Sequence, residues 1–182
     1  MEIIPGILLL SDPFLKDPNF VRSVVLVCEH NEEGSFGFVL SKQTSYTLGE
    51  LVEQAAGINI PVYEGGPVEK NTLHFIHQQP DIASESVEVK KGIYWGGNFE
   101  QVVAALRSGY LKPTDIRFFM GYSGWSAKQL EEEYEEKSWI LADASPATIF
   151  STKEGELWKQ SLQDLGGEYA RMIHYPNDPQ LN

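Results

Sequence analysis

Three short clusters of glycine and aromatic residues set the tightest limits on the architecture of this chain: Gly65-Gly66-Pro67-Val68, Tyr94-Trp95-Gly96-Gly97 and Gly121-Tyr122-Ser123-Gly124-Trp125. Each closes an apolar run with residues that lack a Cβ, take positive φ at little cost and allow two backbones to approach closely. The pattern predicts a sharp turn at the end of a strand in all three places, leading into a helix at the second and third.

The runs between them read as strands and amphipathic helices. Ile7 to Leu10 is a buried strand, and Asp17-Pro18 an N-cap followed by proline, opening one short turn through Arg22. Along the next strand, Ser23 to His30, alternation sets Val24, Leu26, Cys28 and His30 on one face and Ser23, Val25, Val27 and Glu29 on the other. Both faces are mostly apolar, so this strand belongs in the middle of a sheet. Asn31-Glu32-Glu33-Gly34 makes a hairpin into a strand from Phe36 to Ser41. Further strands are expected at Val62-Tyr63, Thr72 to His77, Ile93 to Trp95, Ile116 to Tyr122 and Trp139 to Ala142.

Helices are marked by their caps. Thr47-x-x-Glu50 opens one with Leu48, Leu51, Val52 and Ala55 inward and Gly57 as its stop. Asn98 caps a second through Arg107, with Phe99, Val102, Val103 and Leu106 inward and Gly109 beyond its end. Ser126-x-x-Gln129 opens an acidic helix, Ser145-Pro146 a short turn, and Ser151-x-x-Glu154 a last helix carrying Leu157, Leu162 and Leu165 up to Gly166-Gly167. Because the early strands are joined by a hairpin and not by a crossover helix, the order predicts an α+β fold with a mixed, largely antiparallel sheet and helices packed outside.

At 182 residues, 42% of them hydrophobic, the chain suits one core and one domain over 1–182, with a flexible polar tail at 176–182. Fourteen Lys and Arg against 26 Asp and Glu leave a formal charge of −12, which repels phosphate backbones and anionic lipid. Direct nucleic-acid binding and membrane association are therefore not expected. The N-terminal residues lack a basic segment and are broken by Pro5-Gly6, and Cys28 is the single cysteine; both features suit a cytoplasmic protein.

Nucleophile and metal signals are weak. Ser123 sits in a pattern close to the hydrolase elbow, but the second glycine falls one residue early, so it reads as a turn residue. Cys28 shares a strand face with His30, yet its apolar neighbours would raise the thiol pKa, which makes it a packing residue. His74 and His77, three apart on a strand, point to opposite faces, and no metal or cofactor site is expected. Trp95-Gly96-Gly97-Asn98 could receive a phosphate at a helix start, although no P-loop lysine accompanies it and a tight packing turn is the simpler reading. The glutamates from Glu131 to Glu136 read as a solvated helix face, with Glu133 paired to Lys137. Arg22 either pairs with Asp17 or points into a cleft, where its planar fork would hold a carboxylate or phosphate.

Several of these motifs occur together in one order: Asp17-Pro18-Asn19-Phe20-Val21-Arg22-Ser23-Val24-Val25, His30, Gly65-Gly66-Pro67-Val68, Tyr94-Trp95-Gly96-Gly97, Arg117-Phe118-Phe119, Gly121-Tyr122, Gly124-Trp125 and Gln129-Leu130-Glu131. In that order the chain resembles the AlgH/YqgE family of bacterial proteins from about Pro5 to Trp139. The resemblance implies a strongly bent sheet approaching a barrel, and it carries a transcriptional-regulator label that originates in alginate control. Ser41-Lys42-Gln43 stands where the family usually shows Asn-x-Pro, so a site built on that asparagine is not expected here.

Two functional readings follow. In the first, the chain is a non-catalytic binding or regulatory module acting through a protein or small-molecule partner, with Gly65, Gly66, Trp95, Gly96, Gly97, Tyr122 and Trp125 as the ligand-binding candidates. In the second it is a hydrolase or transferase using Arg22 and His30 with a nearby carboxylate, Asp17 or Asp12. Convergence of those side chains in one cleft would separate the two.

Overall fold

The longest strand, Ile116–Ser126, organises the fold. The computed structural model describes residues 1–176. Of the tail expected at 176–182, all but Pro176 lies outside the described residues. In chain order the strands are β1 (Ile7–Ser11), β2 (Val24–Asn31), β3 (Gly34–Val39), β4 (Gln43–Thr47), β5 (Pro61–Glu64), β6 (Val68–His77), β7 (Val87–Lys90), β8 (Ile93–Trp95), β9 (Ile116–Ser126) and β10 (Trp139–Asp143). The helices are α1 (Leu48–Leu51), α2 (Phe99–Ser108), α3 (Gln129–Glu135), α4 (Pro146–Ser151), α5 (Glu154–Leu165) and α6 (Gly167–Met172).

Strand β9 serves two sets of neighbours. Its C-terminal half pairs with β3, continuing the order β10-β1-β2-β3, while its N-terminal half lies between antiparallel β6 and parallel β5. The result is the α+β fold expected, with a mixed, largely antiparallel and strongly curled sheet. Gly121, at φ +67, marks the change of partners, where its neighbours are the carbonyls of Gly66 and Val68.

Three apolar layers follow from this curl. The inner one holds Leu8, Leu10, Val24, Leu26, Phe38, Leu40 and Phe119 and is covered by Ile149 of α4 and Leu157, Trp158 and Leu162 of α5. A second lies under α2, where Val102 and Val103 meet Phe75, Ile116 and Phe118. A third, on the other face of β1 and β2, gathers Leu9, Val25, Val27, Trp125, Leu130 and Trp139. Strand β2 is central as its two-sided pattern requires: Val24, Val25, Leu26 and Val27 are all fully buried between β1 and β3. Helix α2 keeps its expected bounds because both caps form, with Asn98 Oδ1 accepting from Gln101 N–H at 3.0 Å and Gly109 left-handed at φ +77.

Several expectations need correction. The third glycine cluster does not turn into a helix: β9 runs straight through Ser123, Gly124 and Trp125, because β3 supplies a partner for those residues. The helix expected from Thr47 to Gly57 shrinks to α1 and a 3-10 turn at Glu53–Ala55. Glu50 does reach back to the Thr47 N–H at 2.7 Å, but the chain then folds over Gly49, whose N–H donates to Ile58 O at 3.0 Å. Strands β4 and β7 and helix α6, short and weakly patterned, carry no legible sequence signal. A bulge at Cys28, where Val27 pairs Gly37 and Glu29 pairs Phe36, turns His30 to the face opposite Cys28. Glu133 does not pair with Lys137 on a solvated face, since α3 ends before Lys137 and the carboxylate turns inward to Trp125 and Trp139.

Candidate functional site

Two of the three glycine clusters meet. A Cβ on Gly66 would lie 2.2 Å from the Tyr122 carbonyl oxygen, and one on Gly65 2.4 Å from that of Gly121, so only glycine permits this crossing of backbones. Hydrogen bonds fix it: Gly65 N–H donates to Met120 O at 2.8 Å, and Gly65 O accepts from Val39 N–H at 2.8 Å and from Ser123 Oγ at 3.1 Å. Ser123 is fully buried and bound to that carbonyl, which removes it as a nucleophile.

This crossing sets Tyr122 at the open margin of the inner core, beside Phe36 of β3, His74 of β6 and Trp95 of β8, all half-buried. Phe36 is the centre of the group, its ring centroid 4.7 Å from Trp95 and 6.1 Å from Tyr122, both edge-on. His74 lies edge-on to Tyr122 at 5.7 Å. Because the Thr72 hydroxyl donates to Glu69 O at 2.8 Å, His74 Nε2 must be the donor in its 2.9 Å bond to Thr72 Oγ1, leaving Nδ1 as an acceptor. Burial pulls the His74 pKa down, with Glu69 opposing, so the ring is neutral at neutral pH.

Trp95 is held by the second cluster. Gly97 (φ +117) packs so closely that a Cβ would lie 2.5 Å from Ser86 Oγ and 2.8 Å from Ala83 Cβ. Gly96 N–H donates to Phe75 O at 2.9 Å, and its carbonyl lies 3.1 Å from Nε2 of the buried His77. His77 Nδ1 donates to Gln79 O at 2.9 Å, and burial depresses its pKa against these backbone contacts. The turn into α2 is closed by Asn98 itself, its side chain on Gln101 and its N–H on Ser84 O at 2.9 Å, so close packing accounts for its glycines.

Trp125 stands apart from this group. It lies on the opposite face, stacked on Phe20 at 6.2 Å and edge-on to Trp139 at 6.1 Å. Tyr122 and Trp125 are three residues apart on one continuous strand, which puts them on opposite faces.

Arg22, His30 and Asp17 do not converge. Arg22 and His30 flank or end β2, whose 8 residues span roughly 26 Å. Arg22, left-handed at φ +46, has its guanidinium 5.0 Å from the centre of the Trp158 ring, and its Nη2 donates to Tyr175 O. The pairing with Asp17 does not form: Asp17 Oδ1 accepts from Asn19 N–H at 2.9 Å within its own turn, and Asp12 likewise takes Phe14 N–H at 2.9 Å. His30 Nδ1 is 2.7 Å from Ser35 Oγ, and its Nε2 is 3.7 Å from Glu131 Oε1. Where the family shows Asn-x-Pro, Ser41 Oγ accepts from Val24 N–H at 3.2 Å and Lys42 Nζ donates to the carbonyls of Pro18 and Asn19. Among the described residues no group of three or more His, Cys, Asp and Glu is placed to hold a metal, and no helix is long and apolar enough to cross a membrane.

Of the assembled rings, sequence reasoning named Trp95 and Tyr122 but missed Phe36 and His74. That a strand starts near Phe36 was legible; which of its faces meets β8 was not.

Comparison with known proteins gives one consistent result. A family model described as AlgH-like matches residues 8–170. A UPF0301 protein of Chlorobaculum tepidum is 44% identical over 178 residues, spanning 98% of this chain and 95% of the relative. A UPF0301 protein of Chlorobium luteolum is 43% identical over 100% of this chain and 96% of its own length. Among solved structures, the AlgH protein of Pseudomonas aeruginosa superposes with a TM-score of 0.75 at 26% identity, covering 94% of each chain. A Corynebacterium diphtheriae protein shares the fold at a TM-score of 0.78 and 19% identity, covering 96% of this chain and 94% of its own.

Proposed function

The chain belongs to the AlgH-like family, and on that footing we propose that it is a single-domain, cytoplasmic, non-catalytic binding module whose ledge of Phe36, His74, Trp95 and Tyr122 receives a flat apolar group of a small-molecule or protein partner. The observation that carries this reading is the edge-on contact of Phe36 with Trp95 at 4.7 Å, in a set of half-buried rings that backbone crossings hold rigid. Rigid aromatic surface binds with little loss of side-chain freedom, and such rings favour planar or aliphatic ligands. A neutral His74 adds one acceptor without a charge to desolvate. With a formal charge of −12 the module acts through such a partner and not on DNA directly, so any effect on transcription is indirect. A catalytic reading built on Arg22, His30 and Asp17 is not proposed, because those side chains share no cleft.

A thermal-shift screen against aromatic metabolites and hydrophobic peptides tests the ledge, since a ligand that binds only the native state raises its melting temperature. A ligand whose shift disappears in Trp95→Ala and Tyr122→Ala supports the proposal. One that stabilises both variants as well as the parent protein binds elsewhere and defeats it.

A further inference from the structure

Arg117 is a buried cation in no direct ion pair among the described residues. The second residue of β9, opposite Ile76 of β6, it is only 7% exposed. Its Nη1 donates to Leu40 O at 3.2 Å, its Nη2 reaches Thr152 O at 3.5 Å, and its guanidinium carbon sits 4.9 Å from the centre of the Tyr63 ring. Among the described residues it makes no ion pair. Two carbonyl oxygens use only part of a five-donor fork and supply only partial charge, whereas buried arginine ordinarily has a carboxylate or phosphate before it.

The side chain lines a recess of about 110 Å³, whose other walls include Ile60, Pro61, Tyr63, Thr114 and Phe150. Five of its eight lining residues are apolar, while the greater part of its open surface is polar. By comparison with an apolar cavity of about 150 Å³ that accepts benzene, the recess has room for roughly four or five non-hydrogen atoms.

We propose that this recess binds a short monocarboxylate, with the carboxylate on the Arg117 fork and its aliphatic body against Ile60, Pro61 and Phe150. A single charge is preferred over a phosphate dianion for two reasons. Beyond Arg117, the side chains lining the recess carry only two hydroxyls, those of Tyr63 and Thr114, and the first of these also faces Glu154. Glu154 lies close enough to influence both Arg117 and Tyr63 while forming no ion pair with the arginine, and its negative potential penalises a second charge on the ligand. The site is separate from the aromatic ledge and stands or falls independently of it.

Sodium propionate, whose five non-hydrogen atoms match the room available, is titrated against sodium chloride at matched ionic strength and followed by NMR to test the site on the full chain. Saturable shifts at Ile60, Ile116 and Arg117 are expected, with affinity reduced at least about tenfold in Arg117→Lys, which loses the bidentate fork. Thr114→Trp, at an exposed rim position, should block entry without disturbing the core and keeps the test valid if Arg117→Lys does not fold. Glu154→Gln should tighten binding several-fold. The proposal is overturned if no saturable shift appears up to about 50 mM propionate, if inorganic phosphate binds better than propionate, if Thr114→Trp leaves binding intact, or if Glu154→Gln weakens it.

Discussion

The indole N–H of Trp125 donates to Glu133 Oε2 at 2.9 Å, and the same oxygen accepts from Trp139 Nε1 at 2.8 Å. One carboxylate of α3 thereby ties β9 to β10 across the third apolar layer, while Gln129 Nε2 donates to its other oxygen at 3.0 Å. Both tryptophans are buried, so removing Glu133 strands two donors. Glu133→Ala should lower the unfolding free energy by about 2 kcal/mol in urea titrations, and Glu133→Gln, which keeps an acceptor, by less. Equal stability of Glu133→Ala and the parent would show the link to be a solvent-screened surface contact.

Glycine at the crossings is required by space, and at Gly124 it is not. Alanine at Gly66 or Gly97 meets atoms at 2.2 and 2.5 Å and demands φ of +154 or +117, so each should cost well over about 1 kcal/mol. Gly124 has no positive φ, and its nearest contact would be 3.5 Å away, so Gly124→Ala should stay within about 0.5 kcal/mol. Melting temperatures of the three variants measured side by side decide it; a Gly124→Ala loss as large as the others would mean that close packing is not the governing term.

Cys28 should be inert in the native protein. It is buried at 5% exposure with no ionic neighbour, and burial drives its thiol pKa far above the ordinary range. A disulfide reagent should label it only as fast as the protein opens, and at once in urea. Fast labelling without denaturant would place the thiol at the surface.

Stability should fall as pH drops through the histidine range. His74 and His77 both have folded-state pKa values below the ordinary 6.5, pressed down first by burial. The unfolded chain therefore binds more protons there, so this contribution is complete above about pH 6.5 and is lost progressively as pH falls towards the folded pKa values. His74→Gln should flatten part of the slope of unfolding free energy between pH 7 and pH 5. An unchanged slope in that variant would assign the dependence to other groups.

Arg22 should act on the fold. Its contacts with Trp158 and the Tyr175 carbonyl hold the segment after α6 against α5, so Arg22→Ala should lower stability by about 1 kcal/mol. Because the residue is left-handed, Arg22→Gly should lose less than the alanine variant. The reverse order, by thermal melting, would show that backbone strain plays no part.

Local rules settled what depends only on neighbours in the chain. The two-sided apolar run of β2, the Asn98 and Gly109 caps of α2, the hairpin at Asn31 to Gly34 and the burial of Cys28 were all legible, as was family membership from the ordered motifs. The rest depended on which strand lies beside which. Whether Gly121 to Trp125 turns or continues is decided by β3 supplying hydrogen bonds, and that outcome separates Trp125 from Tyr122 by one face of the sheet. The bulge at Cys28 moved His30 away from the thiol by offsetting the alternation by one residue. Glu133 turned inward because two indoles needed an acceptor, and Arg117 is enclosed by Tyr63 of β5 and Phe150 of α4, neither of which brings it a counter-charge. Alternation and capping act over a few residues, whereas the choice of face, the bulge and the pairing of buried polar groups are fixed by partners distant in sequence, which only the folded chain brings together.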